Sequence, residues 1–170
     1  MIDLSKTIDL STTYLGLKLR NPLVASSSPM CEDAGNIRRM EDAGAAAVVL
    51  HSLFEEQITL ESNELDRFIS AGENVGAEST TQFPDMLGYN RGPEGYLKHI
   101  RNVKEAVRIP VIASLNGTSV GGWLKYAKEM EQAGADALEL NIYYIPVDAE
   151  VTGEQVERKY CDLVDRKSVV

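Results

Sequence analysis

Short continuous hydrophobic runs alternate along this chain with segments whose apolar residues lie three to four positions apart. Continuous runs are typical of strands buried on both faces, and the wider spacing is typical of helices packed on one side. The alternation of the two therefore predicts an α/β fold with a parallel sheet covered by helices. The predicted strands are residues 21–26, 46–51, 110–115 and 137–142, and the predicted helices are residues 36–43, a helix from Pro93 to about Val107, one ending at Gly134 and one after Thr152. The second of these helices has an apolar stripe formed by Tyr96, Leu97, Ile100, Val103 and Val107.

An internal repeat marks two of the helix-to-strand joints. The segment MEDAGA at residues 40–45 recurs as MEQAGA at residues 130–135, each time between a helical pattern and an apolar run. Glycine suits the left-handed position just past a helix end. The repeat indicates successive βα units. For the last helix, Thr152 followed by Gln155 predicts a capping box.

Four βα units are half of an eight-unit (β/α)8 TIM barrel, which typically needs about 250 residues. We therefore interpret residues 1–170 as one domain, the N-terminal half of such a barrel, although a doubly wound sheet also accommodates four strands. Residues 12–20 are predicted to form a hairpin that plugs the barrel bottom. Residues 55–82 form a long excursion after the second strand, read either as a solvated helical segment or as a lid.

Composition narrows the function classes. The chain has 26 acidic against 17 basic residues, a net charge of −9, which argues against a nucleic-acid partner. No apolar run approaches the ~20 residues of a membrane span, and the N-terminus lacks the features of a signal peptide. The two cysteines, Cys31 and Cys161, do not form a disulfide framework. We expect a cytoplasmic protein with reduced thiols.

Polar side chains end each predicted strand. Ligands of parallel α/β folds bind at the carboxyl ends of strands, so these side chains predict a site for a flat, polar ligand, although polar strand ends are also expected next to solvent. The residues concerned are Ser26, Ser27, Ser28, His51, Ser52, Ser114, Asn116 and Asn141.

Three other features of the sequence do not indicate a metal, phosphate or catalytic site. His51 and His99 lack the spacing of a metal pair, so no metal is expected. The glycine-rich segment 117–122 matches neither phosphate-binding motif and reads better as a helix cap. Cys31 has no identifiable histidine partner and reads as an ordinary thiol.

Several motifs resemble one enzyme family. Residues 21–27, NPLVASS, resemble the first strand of dihydroorotate dehydrogenases and of the related flavin domain of dihydropyrimidine dehydrogenase. Residues 138–142, LELNI, are similar to the fourth strand of these enzymes. Residues 12–17, 52–57 and 141–146 resemble more specifically a bacterial dihydroorotate dehydrogenase-like subgroup. The resemblance extends to about Val164.

The resemblance implies an FMN-dependent oxidoreductase of CH–CH bonds in pyrimidine metabolism, with a pyrimidine-like small-molecule substrate. It also implies site residues. Asn90 matches a substrate-loop asparagine, Asn141 contacts substrate or flavin, and His51 stands where many members carry a flavin-contacting lysine. The implied cofactor-binding residues are Ala25, Ser26, Ser27, His51, Ser52, Asn116 and Asn141.

Two departures from the family pattern change the expected activity. Tyr144 stands where cysteine-using members carry the catalytic base, and a phenol with an ordinary pKa near 10 is a poor base. The chain also stops before the family's fifth-strand lysine and its flavin-phosphate loops. We therefore expect FMN binding to be weak or absent in this chain alone.

Two alternative interpretations stay open. One is a catalytically incomplete half-barrel that needs a second chain, since open sheet edges favour a homo-oligomer or association with a second half. The other is a TIM-barrel enzyme acting on phosphorylated metabolites. Such enzymes usually carry Asp or Lys at strand ends, where this chain has Ser, His and Asn.

Overall fold

The computed structural model describes residues 8–54, 93–117, 122–142 and 145–165. A hairpin comes first, and four βα units follow, the first of which has a short strand and a 3-10 turn before its helix. The strands are β1 (Thr12–Tyr14), β2 (Leu17–Leu19), β3 (Val24–Ala25), β4 (Ala47–Phe54), β5 (Val111–Asn116) and β6 (Ala137–Asn141). The helices are a 3-10 turn (Pro29–Glu32), α1 (Ala34–Asp42), α2 (Pro93–Ala106), α3 (Gly122–Gln132) and α4 (Gly153–Asp165).

The main sheet has four parallel strands in the order β3-β4-β5-β6, which is also their order along the chain. This confirms the predicted α/β class with a parallel sheet. In the described part of the chain β3 and β6 lie at the two edges, so the eight-stranded barrel stays a prediction. The excursion predicted at residues 55–82 lies outside the described residues.

The repeated joints have the same backbone geometry. Gly44 and Gly134 have φ angles of 110° and 102°, in the region that favours glycine. In the first joint the amides of Gly44 and Ala45 donate to the carbonyls of Glu41 and Met40, and the second joint repeats both bonds. This is the Schellman arrangement, which satisfies the last carbonyls of a helix. The repeat therefore encodes a helix stop.

Strand β3 is shorter than predicted because the residues before it bind the end of α1. The guanidinium of Arg20 donates to the carbonyls of Glu41 and Ala45, both at 2.7 Å. The amide of Asn21 donates to the carbonyl of Gly44 at 3.0 Å. These side chains bind carbonyls at the end of α1 and in the joint that follows it, so this part of the Asn-Pro motif ties the segment before β3 to that joint.

The sheet separates two apolar clusters. The larger lies between the strands and the helices and includes the buried α2 residues Tyr96, Ile100 and Val103, with Val107 directly after the helix, which confirms the predicted helical stripe. The smaller lies on the opposite face. There Leu19 of the hairpin, 3% exposed, packs with Ala47, Val49 and Ile112, near the strand starts. The hairpin therefore covers the beginning of this face and leaves the strand ends to polar groups.

Two turns follow from local chemistry. The hairpin turns at Leu15 and Gly16, both with positive φ (51° and 76°), as the type I′ two-residue hairpin loop requires. The predicted capping box at α4 is confirmed. The amide of Thr152 donates to the side-chain oxygen of Gln155 at 2.8 Å, and the amide of Gln155 donates back to the Thr152 hydroxyl at 3.3 Å.

Candidate functional site

A hydrogen-bonded row of side chains crosses β4, β5 and β6 near their carboxyl ends. The hydroxyl oxygens of Ser52 and Ser114 lie 2.8 Å apart, and the Ser114 hydroxyl donates to Oε1 of Glu139 at 2.9 Å. The side-chain amide of Asn141 lies 3.4 Å from both Ser114 Oγ and Glu139 Oε1. We call these four residues, Ser52, Ser114, Glu139 and Asn141, the polar row.

Strand register explains why these residues meet. Ser52 pairs with Ser114, and Ser114 pairs with Glu139, so the three side chains stand side by side on one face. Asn141 lies two residues beyond Glu139 and therefore projects from the same face. The face is the one opposite the helices, because Leu53 and Leu115, at alternate positions, belong to the helix-side cluster. The polar row thus lies where a ligand has access without crossing the helical layer.

Asn116 adds a buried acceptor beside the polar row. It pairs with Asn141 in the sheet, and only 8% of its surface is exposed. Within the described residues its Oδ1 atom is buried and has no hydrogen-bond partner. A buried polar atom without a partner costs free energy, so this oxygen is suited to accept a hydrogen bond from a ligand.

A β-bulge shapes the neighbouring strand. Val49 pairs with Ile112 and Ser52 with Ser114, so β4 takes three steps where β5 takes two. At this irregularity the hydroxyl of Tyr96 accepts from the Ser114 amide at 2.9 Å and donates to the Ser114 carbonyl at 3.2 Å. Burial raises the pKa of the Tyr96 phenol above its ordinary value. Tyr96 therefore acts as a neutral hydroxyl that fixes the backbone of the polar row.

His51 lies in the bulge, and its ring is directed toward α2. Its ring centroid lies 5.0 Å from that of Tyr96, in an edge-to-face arrangement, and 5.4 Å from that of His99. Nε2 of His99 lies 2.8 Å from the carbonyl oxygen of Cys31. Among the described residues no group of three His, Cys, Asp or Glu side chains is arranged to hold a metal ion. The structure thus places His51 against the helical layer, away from the polar row.

The candidate cofactor-binding residues at the end of β3 lie near His51 and His99. Ala25 ends β3 and packs at the border of the helix-side cluster. The carbonyl of Ser26 accepts a hydrogen bond from the buried Cys31 thiol at 3.5 Å, and Ser27 follows, half-buried. The structure therefore brings Ser52, Asn116 and Asn141 together at the ends of β4, β5 and β6. Strand β3 pairs with β4 on the side away from β5.

Two predicted residues lie outside the described ones. Asn90 and Tyr144, the substrate-loop and base candidates, have no described placement. Their roles stay predictions.

Sequence reasoning missed Glu139 and the hydroxyl of Tyr96. Glu139 carried a usable signal, because an acid two residues before Asn141 on a strand shares its face. Tyr96 was predicted only as an apolar stripe residue. No sequence pattern reveals the bulge that its hydroxyl fills.

A surface cavity of about 420 Å³ lies at the other end of the sheet, lined by Arg20, Arg38, Glu41, Asp42, Ala106 and Arg108. The carboxyl ends of α1 and α2 meet there. Such ends carry partial negative charge, which arginine complements, and Arg20 already binds two carbonyls. The arginines of this cavity therefore cap the helix ends, and we do not interpret the cavity as a ligand site.

None of the helices in the described ranges has the length and apolarity needed to cross a membrane.

Comparison with known proteins places these features in a family context. Over 139 residues, 79% of this chain, it is 32% identical to the catalytic subunit of dihydroorotate dehydrogenase B (NAD(+)) of Thermoplasma volcanium. Over 172 aligned positions it is 29% identical to the NAD-dependent dihydropyrimidine dehydrogenase subunit PreA of Escherichia coli. Over 144 residues it is 28% identical to the chloroplastic dihydropyrimidine dehydrogenase (NADP(+)) of Arabidopsis thaliana.

The chain spans about two-fifths of the length of the first two relatives, 41% in each case. No family model matches the chain. A solved structure titled "PhdJ bound to substrate intermediate" superposes with a TM-score of 0.46 over 84% of this chain and 40% of the other, at 14% identity. A similarity this weak carries no conclusion about function. The sequence relatives nevertheless agree, and the resemblance of this chain to the dihydroorotate and dihydropyrimidine dehydrogenases is confirmed.

Proposed function

We propose that the protein containing this chain is an FMN-dependent oxidoreductase that acts on the CH–CH bond of a pyrimidine-like substrate. The relatives are dehydrogenases of dihydroorotate and dihydropyrimidines. The observation that carries the proposal is the polar row with Asn116 beside it, at the strand ends on the face opposite the described helices. This is where parallel α/β folds bind their ligands.

The residues present fit a flavin. An isoalloxazine ring is flat and carries an N–H donor and carbonyl acceptors along one edge. The buried Oδ1 of Asn116 offers an acceptor, and Ser52 and Asn141 add further polar atoms. In this proposal Ser52, Asn116 and Asn141 hold the polar edge, and Ala25, Ser26 and Ser27 flank it at the end of β3. His51, whose ring is directed toward α2, supports this site from the helical layer and does not contact the ring.

The chemistry that FMN supplies in such an enzyme is acceptance of a hydride from one carbon of the substrate bond, while a base removes a proton from the other. This chain's own residues orient the two partners and exclude water. Tyr144 is the candidate base by sequence position. Because an ordinary phenol is a poor base at neutral pH, the proposal includes slow oxidation of dihydroorotate or a different dihydropyrimidine as the true substrate.

We further propose that the chain works in association with a second copy or a second half. The side chains of β5 are all buried, whereas those of the edge strand β6 are half-buried or exposed. An edge strand offers unpaired backbone groups that favour association. Sedimentation of the purified chain tests this proposal, and a strictly monomeric chain at all concentrations would contradict it.

FMN titration of the purified chain, followed by quenching of flavin fluorescence, tests the cofactor. We expect weak quenching that Asn116→Ala abolishes. The control is Asn102→Ala, because Asn102 lies exposed on α2. Equal quenching in all three proteins would argue against the FMN site.

The reaction is tested on protein purified from its own cells with any accompanying chains. Anaerobic addition of dihydroorotate or dihydrouracil should bleach the flavin absorbance, with dihydroorotate slower than in a cysteine-bearing relative by about 10²–10⁴-fold. Protein without flavin, or flavin that neither compound bleaches, would overturn the proposed reaction.

A further inference from the structure

Glu139 has no assigned role, yet its carboxylate is the acceptor on which the polar row converges. Oε1 receives the Ser114 hydroxyl at 2.9 Å and lies 3.4 Å from the Asn141 amide nitrogen. Glu139 is half-buried. The face of the sheet on which it lies is covered by apolar residues near the strand starts. A carboxylate in such a position is costly unless its oxygens receive hydrogen bonds, so its partners are fixed in place.

The number of protons that each side chain can donate determines the direction of every hydrogen bond in the polar row. An ionised carboxylate only accepts, and a serine hydroxyl has one proton to give. Ser114 gives that proton to Glu139. The bond between Ser52 and Ser114 must therefore run from the Ser52 hydroxyl to Ser114 Oγ.

The same count fixes what a ligand meets. Ser52 has donated its only proton, so its remaining hydrogen-bonding capacity is lone pairs. Asn141 turns its NH2 group toward Ser114 and Glu139, so its Oδ1, on the opposite edge of the same planar amide, points away from them. Asn116 contributes the buried Oδ1 described above. All three side chains therefore offer acceptors.

We propose that Glu139 is a positioning residue that turns the polar row into an acceptor surface, so that the site selects ring ligands that carry N–H donors. Glu139 does not itself touch the ligand in this proposal. It acts through Ser114, Ser52 and Asn141. The inference rests on the proposed function, because it assumes that a pyrimidine or flavin ring lies against this face.

NMR titration of the ¹⁵N-labelled chain with uracil and with 1,3-dimethyluracil tests the inference, because the second compound has the same ring without N–H groups. We expect uracil to bind more tightly by a factor on the order of ten, the value of one to two net hydrogen bonds. Glu139→Leu should reduce this preference to within about twofold. Glu139→Gln, whose amide oxygen still accepts, should retain part of it.

Two further variants keep the test independent of general damage. Ser52→Ala removes one ligand-facing acceptor and leaves the Ser114–Glu139 bond, so it should lower the preference without unfolding the chain. Glu157→Leu is the matched control, since Glu157 lies exposed on α4. Loss of preference in the control would point to a nonspecific effect and overturn the assignment.

A ligand-free measurement separates this inference from the proposed function. The side-chain amide protons of Asn141 should exchange with solvent several-fold faster in Glu139→Leu than in the wild type, because the amide loses its anchor. If neither uracil nor 1,3-dimethyluracil binds the wild type, the proposed ring site fails while the exchange data still test Glu139. Binding with equal affinity for the two compounds, or exchange unchanged in Glu139→Leu, would overturn the role of Glu139.

Discussion

The hydroxyl of Tyr96 bonds both the amide and the carbonyl of Ser114, at 2.9 and 3.2 Å. The carbonyl of Pro110 accepts from the amide of Val48 in β4, so even-numbered residues of β5 direct their backbone groups toward β4. Ser114 follows the same pattern, at the point where the bulge shifts the register. A side chain of α2 therefore satisfies backbone groups of the sheet.

Tyr96→Phe removes this hydroxyl and leaves the Ser114 amide buried. We expect a loss of about 1–3 kcal/mol in the free energy of unfolding, the cost of an unsatisfied buried group. Urea denaturation measures it. Tyr14→Phe is the control, because Tyr14 is 51% exposed and should change stability by less than about 0.5 kcal/mol. Equal effects of the two substitutions would contradict the role given to the Tyr96 hydroxyl.

The buried phenol also predicts a pH dependence. Burial raises the folded-state pKa of Tyr96 above the ordinary value of 10.0. Above that pH the unfolded chain releases the phenolic proton while the folded chain keeps it, so the unfolded state binds fewer protons and stability falls as pH rises. The contribution is fully present below about pH 10 and declines above it by at most about 1.4 kcal/mol per pH unit.

Denaturation at a series of alkaline pH values, compared between wild type and Tyr96→Phe, isolates this contribution. The wild type should lose stability more steeply above pH 10 than the variant. Parallel pH profiles would show that Tyr96 ionises equally in both states.

The fold follows from the sequence wherever the signal is local. The hydrophobic stripe of α2, the glycine-terminated helix ends at Gly44 and Gly134, and the Thr152 cap are each determined by neighbouring residues, and the structure confirms them. Element ends were less predictable. Strand β3 is short because Arg20 and Asn21 bind the end of α1, a contact about 20 residues away in sequence.

The site was predictable only as a location. Polar strand ends indicated Ser52, Asn116 and Asn141, and the structure brings them together through strand register. The orientation of His51 was not predictable, because the bulge in β4 determines which face its ring meets. The part played by Glu139 likewise depends on its pairing with Ser114 across two strands.

The second glycine joint gives a test of backbone conformation. Gly134 has φ of 102°, and a Cβ there would lie 3.6 Å from Cγ of Lys104, an ordinary contact. Gly134→Ala should therefore be destabilising through backbone strain alone, by about 1–2 kcal/mol. Gly153→Ala is the control, because nothing lies within 4 Å and its φ is ordinary. Thermal unfolding compares the two, and a neutral Gly134→Ala would show that the joint relaxes.

Asp136, which follows the second joint, makes both a backbone hydrogen bond and a surface ion pair, and substitutions can measure the contribution of each. Its carboxylate accepts from the Val111 amide at 2.7 Å and pairs with Lys104 Nζ at 2.7 Å. The ion pair is partly exposed, with 32% and 28% of the two side chains accessible, so Lys104→Ala should cost no more than about 1 kcal/mol. Asp136→Ala also leaves the Val111 amide at the start of β5 without its partner, so it should cost about 1–3 kcal/mol. Asp136→Asn, which keeps an oxygen acceptor for that amide, should cause a loss between those of the other two variants.

Urea denaturation at low and high salt distinguishes the two contributions, since salt weakens only the ion pair. Equal losses for Lys104→Ala and Asp136→Ala would show that the ion pair, and not the strand amide, is the reason for the aspartate at this joint.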